Sequence, residues 1–191
     1  YIANRERGTL PELLQGLDAP QIAEYFGLSC HTVKADYSRP RSREDLVLRG
    51  IGLDNHPDYP FAFSLRDLDV NFRVEGTLMT TSIETPKGTV STVLEYTEEM
   101  RREGASIPFV RRYPIEERDD IDALMHVFDH IEVSPAPGNY RAFFDRVGER
   151  GLAVSSGMVG ASPMHLVLHN LMRMDEFFYL YIDDRERLEA L

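Results

Sequence analysis

The chain has one cysteine, no tryptophan and nowhere the roughly 18 consecutive apolar residues of a membrane span. Cys30 therefore has no partner for an internal disulfide, and alone it cannot build a zinc site of the multi-cysteine kind. Basic residues are in deficit as well: 21 Lys and Arg against 32 Asp and Glu leave a net charge of −11. Nucleic acid and anionic membranes bind by exchanging counterions for a basic face, which makes both poor partners for this chain. No phosphate-binding loop or dinucleotide fingerprint occurs, and the Gly-x-Ser-x-Gly pattern of a nucleophile elbow is missing around Ser155 and Ser156. No signal-peptide pattern opens the chain, so a cytoplasmic location is the default expectation.

What is present suits one globular core: 191 residues, 42% hydrophobic and 28% charged, read as a single domain over 1–191. The organising stretch runs from Leu152 to His165. A short apolar strand between Gly151 and Gly157 is expected to lead through a small-residue turn into a helix. Ser162 is its N-cap and Pro163 its first residue, where a missing N–H costs nothing. In α/β proteins the loop after such a strand and the free N–H groups of the next helix face the ligand.

Upstream, Asp18 caps a helix that Gly27 stops, and Ser42 caps another through Arg49. Thr9 is a third candidate cap, and Leu28 to Ala35 reads as a weak strand. From Asp67 the period becomes two: Val70, Phe72 and Val74 alternate with Asn71, Arg73 and Glu75. Leu78 to Ile83, Thr89 to Tyr96 and Ile107 to Tyr113 supply three further strands, with a turn at Thr85-Pro86-Lys87-Gly88. This predicts an antiparallel meander over about 67–114, the charge run Glu98 to Glu103 being a solvated connection. Helical stripes follow at Ile121, Leu124, Met125, Phe128 and Ile131, at Tyr140, Phe143, Phe144 and Val147, and from Asp175 to Ile182. A last helix starts at Asp183. The late alternation of strand and helix predicts an α/β fold: the N-terminal half of a (β/α)8 barrel, carrying the meander as an insertion, because a complete barrel takes about 250 residues.

Thr85-Pro86-Lys87-Gly88-Thr89-Val90, then Tyr113-Pro114-Ile115 with its acidic sequel, then Gly157 and Ala161-Ser162-Pro163, resemble in order and spacing the uroporphyrinogen decarboxylase superfamily. The similarity is greatest to its decarboxylase-like group with corrinoid and coenzyme M methyltransferases. The resemblance implies a (β/α)8 barrel of which this chain is the N-terminal half. It also implies methyl transfer to a corrinoid or thiol acceptor, in an active site completed by C-terminal residues. Zinc and a corrinoid partner belong to that complete protein; no metal ligand or cofactor site is assigned within this chain. Aligning on Leu10-Pro11-Glu12 puts Asn4 and Gly8 in the slots of the family's two carboxylate-binding arginines, with Arg5 and Arg7 beside them. The family's substrate-binding tyrosine falls at His169. Two alternatives stand beside methyl transfer: tetrapyrrole decarboxylation with Arg5 and Arg7 as carboxylate clamps, and a non-catalytic half-barrel that binds a ligand or partner and pairs its open edge with a second copy.

Among the residues themselves, His165 and His169 share a helix face near the expected pocket mouth, where a histidine can act as general acid or base. They are the catalytic candidates, against a structural role at a helix seam. His126 and His130 have the same spacing but lie opposite an apolar stripe and are expected to face solvent. Met158, on the strand-to-helix loop, is a substrate-contact candidate with Met164, Met172 and Met174, core filling being the alternative. Arg5, Arg7, Arg39, Arg41, Arg43 and Arg49 leave room for a basic pocket toward the N-terminus, or else pair with neighbouring carboxylates on a solvated face.

Overall fold

The computed structural model describes residues 4–5, 7–29, 42–103, 105, 107–154 and 162–191. Its first helices start where side chains replace missing backbone partners. Asp18 accepts a hydrogen bond from the Gln21 N–H at 2.8 Å while the Gln21 side chain takes the Asp18 N–H, also at 2.8 Å. This reciprocal cap opens α1 (Ala19–Tyr25). The Ser42 hydroxyl accepts from the Asp45 N–H at 3.1 Å and opens α2 (Arg43–Gly50). Thr9 caps no α-helix; the leucines after it form one 3-10 turn, Glu12–Leu14.

After β1 (Phe61–Leu65), the period-two stretch folds as β2 (Asp69–Glu75), β3 (Leu78–Thr85) and β4 (Gly88–Glu95). Gly76, at a φ of +61°, turns β2 into β3. Pro86 and Lys87 turn β3 into β4, with the Lys87 N–H on the Thr85 hydroxyl at 3.1 Å. The charge run is the exposed connection between β4 and the next strand and forms a short helix: Thr97 accepts from the Met100 N–H and starts α3 (Glu98–Arg102). β5 (Phe109–Arg112) then completes an antiparallel sheet in the order β2-β3-β4-β5. Alternation leaves Asn71, Arg73, Thr80, Ser82 and Ser91 on one face, while Thr81, Ile83, Val90, Thr92 and Leu94 are buried on the other.

Two helices cover that buried face. α4 (Asp120–Asp129) brings Ile121, Leu124 and Val127 onto Ile83 and Val90. Asp120 starts it by accepting the Glu116 and Glu117 N–H groups, both at 2.9 Å. α2 lies closer: a Cβ on Gly50 would sit 2.4 Å from the Thr92 hydroxyl, so only glycine lets the helix approach this far. α4 ends at Asp129, and Ile131, expected on its stripe, instead begins β6 (Ile131–Pro135). β6 pairs antiparallel with β1, from Phe61↔Pro135 to Leu65↔Ile131. α5 (Pro137–Val147) follows and builds a second cluster of Tyr59, Phe143, Val147 and Ala153, with the Tyr140 hydroxyl on the Ala153 carbonyl at 2.8 Å. The chain then runs through α6 (Pro163–Leu166), a π-helical segment (Val167–Leu171), α7 (Met174–Asp183) and α8 (Arg185–Ala190). No helix among the described residues is long and apolar enough to cross a membrane.

The expected half-barrel is not this fold. A (β/α)8 barrel is made of parallel strands joined by helical crossovers, whereas every strand pair in both sheets here is antiparallel. Among the described residues the one parallel contact is an isolated bridge, Ile115↔Met172. The meander is accordingly the larger of the two sheets among the described residues. Residues 152–154 of the expected strand have no strand pairing, and its remainder lies outside the described residues, as does most of the expected strand at Leu28 to Ala35. One strand-loop-helix step makes no barrel, because closure needs a series of parallel strands; β1 and β6 pair with each other instead, as a second antiparallel sheet.

Arg187 of α8 reaches back to α4, with its Nε on Asp122 Oδ1 at 3.2 Å and a second nitrogen on Oδ2. These hydrogen bonds hold the Asp122 carboxyl below its ordinary range. Because the folded-state pKa is lowered, the stabilisation is complete above the unfolded value near ~3.9 and is lost as pH falls through the folded one. In acid titrations followed by circular dichroism, Arg187→Gln is expected to lose part of the wild-type stability decline below about pH 4; superimposable profiles would show that this pair contributes none of it. Gly50→Ala is expected to destabilise the fold by about 1–3 kcal/mol through overpacking, despite alanine's better helix propensity. Thr92→Ala in the same chain removes the obstructing hydroxyl and should recover most of that loss in denaturant unfolding.

Candidate functional site

Ser162 and Pro163 start α6 as their residue types dictate, with the Ser162 hydroxyl accepting the His165 N–H at 3.2 Å. One turn later the helix widens to π geometry over Val167–Leu171, a local form frequent at functional sites. His165 and His169 remain on one side, their rings 5.5 Å apart and 14° from parallel, and both are exposed. The loop after α2 presses against this segment. Gly52 has a φ of +79°, and a Cβ there would lie 2.5 Å from Leu166 Cδ1 and 2.9 Å from Asn170 Cβ. Between them, Arg49, Pro108, His169 and Asn170 line a cleft of about 30 Å³. That is room for a water molecule or so, far below the roughly 300 Å³ at which organic-ligand pockets begin.

Arg49 reaches this cleft from a buried ion pair. Within α2 it lies four residues after Asp45, and their side chains meet at 2.9 Å with 6% and 2% of their surfaces exposed. Asp45 also accepts the Asn55 N–H at 3.1 Å. The Asn55 side chain in turn binds both backbone groups of Phe63 in β1, its amide nitrogen donating to the carbonyl at 2.8 Å and its oxygen accepting the N–H at 2.7 Å. The arginine charge is thus engaged in bracing the fold.

The other described residues expected at a site do not converge on the histidines. Asn4 and Arg5 are exposed near the N-terminus, where the Asn4 carbonyl accepts the Thr9 N–H at 2.9 Å. Arg7 pairs with Glu103 beyond α3. Met158, Arg39 and Arg41 lie outside the described residues. Arg43 donates to the Val70 carbonyl at 3.3 Å, at the edge of an open groove of about 420 Å³ between α2 and the β1–β2 region. His126 and His130 are half-buried rather than solvent-facing; their rings lie 4.3 Å apart, and His130 Nδ1 is 2.8 Å from the His126 carbonyl at the helix end. Among the described residues, no three His, Cys, Asp or Glu side chains are placed to share a metal ion.

The site that the sequence reading missed is the outer face of α7. Phe177 and Leu180 are buried against the core. Met174, Phe178 and Ile182, four residues apart and so on one side of the helix, are 60%, 56% and 78% exposed. Tyr179 and Tyr181 are exposed beside them. The signal was present in Met174-Asp175-Glu176-Phe177-Phe178-Tyr179-Leu180-Tyr181-Ile182, which carries more large apolar residues than one core-facing stripe can use. What it could not say is which of them the core would take.

Comparison with known proteins adds no relative: no family model, no curated protein and no solved structure matches the chain.

Asp45→Asn is expected to cost about 3–5 kcal/mol in denaturant unfolding, because it removes the carboxylate opposite a buried guanidinium. Loss of less than about 1 kcal/mol, the worth of a surface pair, would show that the ion pair does not brace α2 to β1.

Proposed function

We propose that the chain is a non-catalytic protein-binding module whose docking face is the outer stripe of α7, and that the stripe receives an amphipathic helix of another chain. The observation that carries this reading is the exposure of Met174, Phe178 and Ile182 at helical spacing on a helix whose opposite face is already packed. Isolated exposed apolar side chains are ordinary, but a contiguous row of them marks an interaction surface. Spacing of four and three residues along a helix is also what a second helix reads when it docks by its own apolar side chains.

Methyl transfer and decarboxylation are not proposed. Methyl transfer is expected in a barrel with His165 and His169 at its pocket mouth, and decarboxylation with Arg5 and Arg7 as carboxylate clamps; here the histidines are exposed beside a water-sized cleft, Arg5 is exposed and Arg7 is paired with Glu103.

The double substitution Phe178→Asp with Ile182→Asp tests the reading. Two exposed positions carry little folding energy, so the thermal midpoint should stay within about 4 °C of wild type. At low micromolar concentration, the retention of the wild-type chain on a phenyl-bearing matrix should fall sharply in the variant. A large drop in midpoint would make the stripe part of the core, and unchanged retention would put the accessible apolar face elsewhere.

A further inference from the structure

Resting on that reading, we infer that the partner helix is basic along the flank that meets Tyr179. The charges at the margins of the stripe divide into those already neutralised and those left over. Arg173 binds Asp175, Nε to Oδ1 at 3.0 Å with a second contact to Oδ2 at 2.5 Å. Arg185 binds Glu189 at 2.7 Å and lies over the Tyr181 ring. Both cations at the ends of α7 are therefore matched within the chain. Glu176, Asp183 and Glu186 take part in no ion pair among the described residues, and Asp183 and Glu186 are exposed. The residual charge around the apolar row is negative, on a chain whose net charge is −11.

Size and charge together select the occupant. At about 200 Å² for a large side chain, the exposed parts of Met174, Phe178, Tyr179, Tyr181 and Ile182 amount to on the order of 600 Å². One side of a standard interface takes about 800 Å², so a single helix and its flanks fill the face. A second copy would bring its own uncompensated carboxylates and the same net charge to the contact. A helix with lysine or arginine on the flank nearest Tyr179 instead places those cations toward Glu176 and Asp183, which lie three residues before and four after that ring and so share its side of α7. Complementary charge of this kind speeds association and rejects like-charged partners.

The 191-residue chain is titrated into two fluorescent peptides of about 18 residues, long enough to form a helix. Both carry the same leucine row, one flanked by lysine and the other by glutamate. The lysine peptide is expected to bind at least about tenfold tighter and to weaken as NaCl rises from about 0.05 to about 0.5 M. Phe178→Asp with Ile182→Asp should abolish its binding. Glu176→Lys with Asp183→Lys should reduce or reverse the preference while the fold is kept. Equal or tighter binding of the glutamate peptide overturns the inference. So does lysine-peptide binding that survives the double aspartate variant, since attraction would then come from the overall charge and not from the stripe. If the phenyl-matrix result holds but neither peptide binds, the basic-helix inference fails while the docking-face reading stands. Sedimentation showing a wild-type dimer, abolished by the aspartate variant and resistant to the lysine peptide, would identify a second copy as the occupant and overturn the inference.

Discussion

The placement of one sheet against the other depends on the ion pair inside α2. Asp45 and Arg49 are four residues apart on one helix, so they meet without long-range ordering, and both are buried where α2 crosses the main sheet. A buried pair repays its desolvation only when the remaining lone pairs and protons find partners. Asp45 finds one in the Asn55 N–H, and that contact fixes the loop after α2. Asn55 then binds both backbone groups of Phe63 and so sets where β1 lies. β6 pairs with β1, and α5 packs on the second cluster beside them. A local contact within one helix is thereby extended, through a single asparagine, to a sheet formed by strands more than sixty residues apart.

The same packing accounts for where binding capacity remains. The main sheet offers one apolar face, and α2 and α4 cover it. The C-terminal helices are held at the edge of that core by Phe177, Leu180 and Leu188, with Arg187 and Arg118 tied to Asp122 and Asp184. Only one side of α7 can face the core from this position. Its other side keeps Phe178 and Ile182 in solvent, and the matched arginines leave the surrounding charge negative. The docking face proposed for α7 is thus apolar surface in excess of what the core can take.

The histidine pair illustrates a different limit. That His165 and His169 share a face was legible, since a four-residue separation places side chains together on a helix. Whether that face borders a pocket depends on what packs beside it. Here Gly52 brings the loop after α2 so close to Leu166 and Asn170 that only a water-sized space remains. Likewise, Arg5 and Arg7 were legible as cations, but Arg7 is matched to Glu103, a residue nearly a hundred positions away.

The sequence by itself determined the features whose causes lie within a few residues. These are the caps at Asp18, Ser42 and Ser162, the Pro86-Lys87 turn, and the alternation that makes β2, β3 and β4 a meander. Each depends on backbone groups that must be satisfied locally or on side chains that alternate along one strand. Tertiary structure alone decided that Phe61–Leu65 and Ile131–Pro135 are strands at all, because neither short segment has a ladder until the other is beside it. It also decided that β6 pairs antiparallel with β1 rather than adding a parallel strand to a (β/α)8 barrel, and which face of α7 is covered. Those outcomes rest on contacts between distant segments competing for one core, and period and propensity are blind to that competition.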